Sequence, residues 1–277
     1  MMNAAVGLLK ELGGVLSEAF SSFRRNNGLT AASSLAFLAT LALIPTLLLL
    51  TFLLGAAIGS SARALQETQD LLKQAVPAYS QVFLNEVSMI MRHKRAIGVI
   101  NLFVLFWTVT RLVAGMRISL NAIFRRKSGR PFLQEKLFDV AISILFLAGF
   151  SVVSIAGVVL PLVERILPLR LLPVSLEQIA TFIVFTGVVF ALYFTFSTGA
   201  RFRHLVTGSL ATSLLWFALK PAFYLFLTYN PGYGFAFGSF KSLFVILMWV
   251  YLSLALFLFG AEIVASFGRE RPSSSRA

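Results

Sequence analysis

The sequence contains no cysteine, only two histidines and few acidic residues. The absence of cysteine excludes disulfide bonds, thiolate metal ligands and cysteine nucleophiles. His93 and His204 lie in separate basic segments, so no histidine pair for a metal ion or a nuclease dyad is evident. The acidic residues are dispersed, without paired carboxylates to hold magnesium, and no serine lies in a G-x-S-x-G motif. We therefore predict no cofactor, no metal site and no enzymatic activity.

Charged residues are also scarce, at 13% of the chain against about 25% in typical soluble domains. Hydrophobic residues make up 58%, so the chain cannot supply the charged surface of a soluble domain of this length. A net charge of +13 raises nucleic acid as a partner. The basic residues stand in short clusters between apolar runs, which indicates anionic lipid headgroups instead.

Six apolar segments have close to or more than the roughly 20 residues that a helix needs to cross a bilayer. They predict an all-α, polytopic membrane domain over 29–268, followed by a polar tail over 269–277. Pro45 and Pro221 fall inside the first and fifth segments, where we expect kinks. The predicted spans are 31–59, 96–124, 138–160, 178–199, 205–228 and 242–267.

Two further segments are too polar to span. Residues 1–28 place apolar side chains at spacings of three and four opposite charged ones, which predicts an amphipathic helix. It lies in the headgroup region or packs on the bundle, and both alternatives remain open. Residues 60–95 form apolar stripes on two short helices broken at Pro77, so we predict an extramembrane insertion acting as a lid, a contact surface or a packed loop.

The loops indicate the orientation of the chain. Six spans put both termini on one side, and more basic residues fall on that side than on the other, although the cluster from Arg92 to Arg95 opposes the trend. The positive-inside rule therefore predicts cytoplasmic termini. Basic residues at the cytoplasmic ends are candidates for binding lipid headgroups: Arg24, Arg25, Arg125, Arg126, Lys127 and Arg130.

Three stretches carry a family resemblance: AASSLAFLATLALIP at 31–45, FWTVTRLVAGMRISLNAIF at 106–124 and YGFAFGSFKSLFVILMWVYLSLALFLFGAEI at 233–263. They resemble the YihY and virulence factor BrkB family of bacterial inner-membrane proteins. Members often have tyrosines where this chain has Phe37 and Leu38. The resemblance implies an inner-membrane protein suspected of transporting an envelope component. An older ribonuclease label for the family finds no support in the residues considered above.

Charged residues inside the spans are the sharpest functional signal, because each costs at least about 2.5 to 3.5 kcal/mol at the bilayer centre. They are Arg111, Arg117, Lys220 and Glu262. Arg117 and Glu262 lie at similar depths, so we predict an ion pair between them, which is functional or merely fixes helix order. The polar faces that also carry Asn101 and Asn121 should face the bundle interior.

With Glu262 counted as the acidic residue of the spans, the three basic residues give them a net positive charge. This charge would favour the binding of an anion. We therefore predict a transporter or translocation pathway for an anionic amphiphile, formed by Arg111, Arg117 and Lys220 with Asn101 and Asn121. For Lys220, snorkelling to the outer surface is the alternative. A non-catalytic envelope scaffold that binds partners through 60–95 is the alternative function. The expected partners are membrane lipids and, in a homo-oligomer, further copies of the chain, but no nucleic acid.

Overall fold

A computed structural model describes residues 2–58, 96–125, 131, 133–148, 174–197, 200–230 and 241–269. The predicted insertion over 60–95 lies outside these residues, and with it the surface on which the scaffold hypothesis depends. Nearly all of the predicted polar tail lies outside them as well. Within the described residues every regular element is an α-helix and none is a strand.

The described residues form seven helices. Four of them contain segments long and apolar enough to cross a membrane, namely Gly28–Leu49, Leu102–Ile123, Phe202–Tyr229 and Leu243–Gly268. The predicted third and fourth spans begin on two other helices, of which the second includes the apolar segment Thr181–Phe196. Within the described residues the predicted all-helical architecture with membrane-spanning helices is thus confirmed, whereas the count of six spans stays a prediction. The helices are α1 (Met2–Arg25), α2 (Gly28–Ile58), α3 (Ala96–Ile123), α4 (133–148), α5 (Val174–Phe196), α6 (Phe202–Tyr229) and α7 (Lys241–Arg269).

Helix α7 is the centre of the bundle and contacts α1, α2, α3 and α6. Its buried face presents Leu258 and Ala261 to Leu35 of α2 and Leu120 of α3. Large apolar side chains such as Phe103 cover the outer surface of the bundle. That distribution suits hydrocarbon rather than water as the surrounding solvent.

Helix α1 packs against α7 along one face. Val15 and Ala19 are buried against Ile263, and the ring of Phe23 meets Phe259 edge to face with centroids 5.7 Å apart. Phe20, on another face of α1, remains exposed. Packing on the bundle was one of the two alternatives predicted for this segment, and the exposed apolar face is compatible with an interfacial position as well.

Helices α6 and α7 cross at two glycines. A Cβ atom at Gly260 would lie 1.7 Å from Oγ1 of Thr212, and one at Gly208 would lie 2.1 Å from Cγ2 of Val264. Both distances are far below van der Waals contact, so only glycine permits this crossing. The close approach holds the polar side chains of α6 directly against α7.

Candidate functional site

Arg117 of α3 binds two carboxylates of α4. Its Nε lies 2.7 Å from Oδ1 of Asp139, its Nη2 3.1 Å from Oδ2, and its Nη1 3.2 Å from Oε2 of Glu135. The side chains of Arg117 and Asp139 are only 14% and 3% exposed. The predicted pair between Arg117 and Glu262 is therefore wrong. Arg117 and Glu262 lie at similar depths, but the carboxylate that reaches Arg117 in bidentate geometry belongs to the neighbouring helix.

This pairing changes the charge of the spans. Asp139 is the second residue of the predicted third span. It therefore adds a negative charge to the spans besides that of Glu262. Glu135 lies one turn before it on the same face of α4, and this spacing of four was the available sequence signal. A guanidinium held by two carboxylates has little positive charge left for a further anion. Arg117 therefore joins α3 to α4.

Glu262 has a different partner. Its side chain is fully buried in α7 and accepts a hydrogen bond from the side-chain amide of Asn26. Asn26 belongs to the turn between α1 and α2, which Asn27 closes in the left-handed conformation with a φ of 51°. The side chain of Glu262 thus links α7 to the turn between α1 and α2.

Arg111 is exposed, so the expectation that it faces the bundle interior is wrong. Its guanidinium lies over the ring of Trp107, 5.8 Å from the centroid, on the side of α3 opposite the packed Val109 and Val113. Asn121 is partly buried, and its Oδ1 has no hydrogen-bond donor in the part of the chain that the structure describes. The side chain of Asn101 lies outside the described residues.

The structure describes only some of the basic residues that were predicted to bind lipid headgroups. Arg24 and Arg125 are exposed, and Arg25 pairs with Glu18 at 3.0 Å in an arrangement where both side chains remain accessible. Headgroup binding by these residues stays a prediction. The others, Arg126, Lys127 and Arg130, lie outside the described residues.

Lys220 of α6 rests on aromatic rings. Its Nζ is 4.6 Å from the ring centroid of Trp216 and 5.5 Å from that of Phe217. Both residues precede Lys220 by one turn, so the side chain bends back along α6 instead of extending to the far end of the helix, as snorkelling would require. Among the described residues, no carboxylate lies within ion-pair distance of this amino group.

The aromatic platform beneath Lys220 is itself fixed. The indole Nε1 of Trp216 donates a hydrogen bond to Oγ of Ser253 on α7 at 3.2 Å. Phe185 of α5 stacks on the indole at a centroid distance of 4.5 Å. Three helices thus hold one ring in place, and the ammonium group is positioned with it.

A row of hydroxyl groups continues from Lys220 into the bundle, and we call it the polar stripe: Ser209, Ser213 and Lys220 of α6 with Thr186 of α5. Its α6 members share one helix face because their spacings of four and seven match the helical repeat. Oγ of Ser213 lies 2.9 Å from Oγ1 of Thr186, and Ser209 is fully buried. The stripe was not predicted, although three polar residues at helical spacing in an apolar run were a signal for it.

Tyr193 of α5 lies beside the stripe and is fully buried. Its hydroxyl donates a hydrogen bond to the carbonyl of Phe257 at 2.6 Å and lies 3.0 Å from Oγ1 of Thr212. This hydroxyl therefore ties α5 to both α6 and α7, where Gly260 leaves room for it.

Replacing Tyr193 with phenylalanine is expected to lower the free energy of unfolding by about 1 kcal/mol, because a buried interhelical hydrogen bond is lost. Thermal unfolding of the purified protein in lipid nanodiscs measures the effect. Tyr224→Phe is the matched control, since Tyr224 is 62% exposed on α6. Equal losses in the two variants would contradict a structural role for the Tyr193 hydroxyl.

The described residues can be compared with the sites that the sequence analysis considered. They contain no group of three or more histidine, aspartate or glutamate side chains that could hold a metal ion. An ammonium group and neighbouring hydroxyls can instead attract and hydrogen-bond an anion.

Of three comparisons with known proteins, one identifies a family. No curated protein and no solved structure matches the chain. The family model for virulence factor BrkB matches residues 19–277, which include all three stretches that carried the resemblance and every helix from α2 to α7. This chain of membrane-spanning helices around α7 therefore belongs to the virulence factor BrkB family.

Proposed function

We propose that the chain is a transporter of the bacterial inner membrane that translocates an anionic amphiphile, a lipid or a lipid-linked envelope precursor. Lys220 is the residue that attracts the anionic group. The observation that carries the proposal is the position of its ammonium group, inside an apolar helix and on a fixed tryptophan, without a carboxylate at ion-pair distance among the described residues.

The energetics favour an anion at this position. A lysine near the bilayer centre costs about 2.5 to 3.5 kcal/mol, and a cation–π contact returns roughly 0.5 to 2 kcal/mol of that. The ring contacts one side of the ammonium group and leaves other N–H donors available. A phosphate or carboxylate that accepts from them would offset the remaining cost. Because Arg117 is paired with Asp139 and Glu135, our proposal puts the anion site on α6 and not on α3, which the sequence analysis had included.

The polar stripe extends this site along the membrane normal. Eleven residues separate Ser209 from Lys220, which corresponds to about 16 Å along a helix or half of the roughly 30 Å hydrocarbon thickness. A headgroup that passes between α5 and α6 would find hydroxyl partners over this distance. The acyl part of an amphiphile would stay in the lipid beside the bundle.

The proposal includes the topology expected from the sequence. We infer six spans, of which the third and fourth continue from α4 and α5, and cytoplasmic termini. Helix α1 lies at the cytoplasmic interface with Phe20 toward lipid. Under this orientation Ser209 is near the cytoplasmic side of α6 and Lys220 is beyond the middle of the helix.

The experiment measures flipping of a fluorescent phosphatidylglycerol in proteoliposomes. Lys220→Met should lower the rate about tenfold, because one charge-assisted hydrogen bond is worth roughly 1.5 kcal/mol. Lys220→Arg should keep more activity, since the positive charge remains. Arg203→Met is the control, because it removes a positive charge from an exposed position of α6 outside the stripe.

A zwitterionic phosphatidylcholine probe should respond little to Lys220→Met. Equal flipping of the anionic probe by the original protein, Lys220→Met and empty vesicles would overturn the proposal.

A further inference from the structure

The outer surface of α3 carries a row of exposed side chains that we call the Arg111 face: Phe103, Trp107, Arg111 and Ile118. Their spacings of four, four and seven residues place them on one side of the helix. All four are exposed, and the most accessible of them is Phe103 at 71%. The other side of α3 packs into the bundle through Leu105, Val109 and Val113. A guanidinium thus stands within a large apolar face that points away from the bundle.

Arg111 lies too deep to reach the lipid headgroups. Nine residues separate it from Leu102 and twelve from Ile123, the two ends of this candidate span. These separations correspond to about 14 and 18 Å along a helix, more than the length of an arginine side chain. The guanidinium also rests over the ring of Trp107, one turn away, at 5.8 Å from the centroid. It therefore stays in hydrocarbon, where a cation–π contact offsets only part of the cost of the charge.

The predicted spans contain two carboxylates, and both have partners elsewhere. Of the eleven acidic residues in the sequence, Asp139 and Glu262 lie inside these spans and nine lie outside. Both are buried, Asp139 against Arg117 and Glu262 against Asn26. Among the described residues, no carboxylate lies within ion-pair distance of Arg111. Its charge therefore differs from that of Arg117, which α4 neutralises.

A second copy of the chain is a poor match for the Arg111 face. Two copies that pack symmetrically through one surface bring the same residue of each to the same depth. The two Arg111 guanidinium groups would then meet in hydrocarbon and repel each other. Because the carboxylates of the spans are buried, a neighbouring copy also has none of them to offer at its surface. Charge complementarity therefore favours a different membrane protein.

The Arg111 face also differs from the proposed pathway at Lys220. Beside Lys220, the polar stripe offers hydroxyl groups to a headgroup as it moves along α6. The exposed neighbours of Arg111 are large and apolar, so they offer no such row of partners between the membrane surface and the guanidinium. This surface suits a helix that is already at the right depth, and not a headgroup that has to travel there.

We propose that the Arg111 face binds a membrane-spanning helix of another protein, which presents a glutamate or an aspartate at the depth of Arg111. The carboxylate would accept hydrogen bonds from the guanidinium in the two-bond geometry that Arg117 shows with Asp139. Phe103 and Ile118 would pack against the same helix. Tryptophan and arginine are among the residues that most often dominate binding at protein interfaces. This interaction does not depend on transport at Lys220.

The test uses a synthetic polyleucine helix with one glutamate at its centre as the probe. The chain contains no cysteine, so Ala122→Cys creates a single site for a fluorescent donor at an exposed position of α3. The peptide carries the acceptor, and energy transfer in proteoliposomes measures association. We expect the glutamate peptide to associate about fivefold more strongly than an all-leucine peptide of the same length, because only the first can form the charge-assisted hydrogen bonds.

Two changes should remove this preference. Arg111→Leu should lower the association of the glutamate peptide to that of the leucine peptide. Moving the glutamate by seven residues along the peptide should also remove most of the preference, since the carboxylate would no longer match the depth of Arg111. Lys220→Met is the control, because it removes another positive charge within a span and should leave the association unchanged.

Stability separates the loss of a partner site from damage to the fold. Arg111→Leu should leave the midpoint of unfolding in lipid nanodiscs unchanged or raise it, because the removed charge lies on the outer surface. Arg117→Leu is the matched comparison on the same helix. It should lower the midpoint, since it leaves Asp139 and Glu135 without their cation.

Three results would overturn the inference. Equal association of the glutamate and leucine peptides, or an association that Arg111→Leu does not lower, would show that the charge does not direct binding. A loss of stability in Arg111→Leu as large as in Arg117→Leu would show that the guanidinium has a partner within its own chain. A photoreactive group at Phe103 could also crosslink to a second copy or to phospholipid headgroups. If Arg111→Leu abolished those crosslinks, the copy or the headgroup would be the occupant of the Arg111 face.

Discussion

Replacing Asp139 with leucine is expected to lower the free energy of unfolding by about 3 to 5 kcal/mol, since it leaves the guanidinium of Arg117 buried without its main partner. Two of the three short contacts of Arg117 are to this carboxylate. Glu135 is more accessible and holds the guanidinium through one contact only, so it cannot substitute. Thermal or denaturant unfolding in lipid nanodiscs measures the loss.

The double variant Arg117→Leu with Asp139→Leu should recover most of that stability. Removing both charges also removes the cost of burying them, and such replacements are often neutral. Glu18→Gln is the matched control, because the pair of Arg25 and Glu18 is exposed and should contribute under about 1 kcal/mol. If Asp139→Leu cost no more than this control, the cluster would not be a buried ion pair.

Gly260→Ala is expected to destabilise the bundle by about 3 kcal/mol or more, the upper end of the range for overpacking. The new methyl group would lie 1.7 Å from Oγ1 of Thr212 and 2.6 Å from Oη of Tyr193. Helices α6 and α7 would have to separate, and the hydrogen bond from Tyr193 to Phe257 would be lost with them. The fraction folded against denaturant concentration measures this effect.

A matched control exists on α5. A Cβ at Gly187 meets nothing within 4 Å, so Gly187→Ala should be neutral or should stabilise its helix by up to about 1 kcal/mol. Thr212→Ala in the Gly260→Ala background should restore part of the stability, because the closest clash disappears. Similar unfolding curves for Gly260→Ala and Gly187→Ala would contradict the close approach of α6 and α7.

The membrane architecture could be predicted because it depends on one property that the sequence displays directly. A run such as 242–267 must satisfy its own backbone in hydrocarbon, and a helix of that length spans it. The observed helix Lys241–Arg269 differs by a few residues only. Gly28–Ile58 likewise matches the predicted first span within three residues at its start.

Partner choice could not be predicted in the same way. Arg117 and Glu262 have similar depth, but depth leaves the direction in which a side chain points and the neighbouring helix undetermined. The hairpin of α3 and α4 brings Asp139 to Arg117, while α7 turns Glu262 toward Asn26. Arg111 shows the same limit, because its polarity suggested an inward position and the packing of Val109 and Val113 left it outside.

The polar stripe was missed for another reason. Serine and threonine are common in membrane helices, where each can bond to its own backbone, so a single hydroxyl carries little information. Ser209 does bond to the carbonyl of Leu205. Two features distinguish the polar stripe from isolated hydroxyl groups. Its serines share a helix face with Lys220, and Ser213 contacts Thr186 of α5.

The hydrogen bond between Asn26 and Glu262 has a consequence for biosynthesis, since it joins residues 236 positions apart. At roughly 5 to 20 residues per second, the ribosome needs on the order of 10 to 50 seconds to pass from one to the other. During that interval α1 has been made and its docking face on α7 has not. Until α7 is made, the apolar residues Val15, Ala19 and Phe23 must be removed from water elsewhere, and the membrane surface is the nearest place. Helix α1 is therefore synthesised well before it can reach its final position against α7.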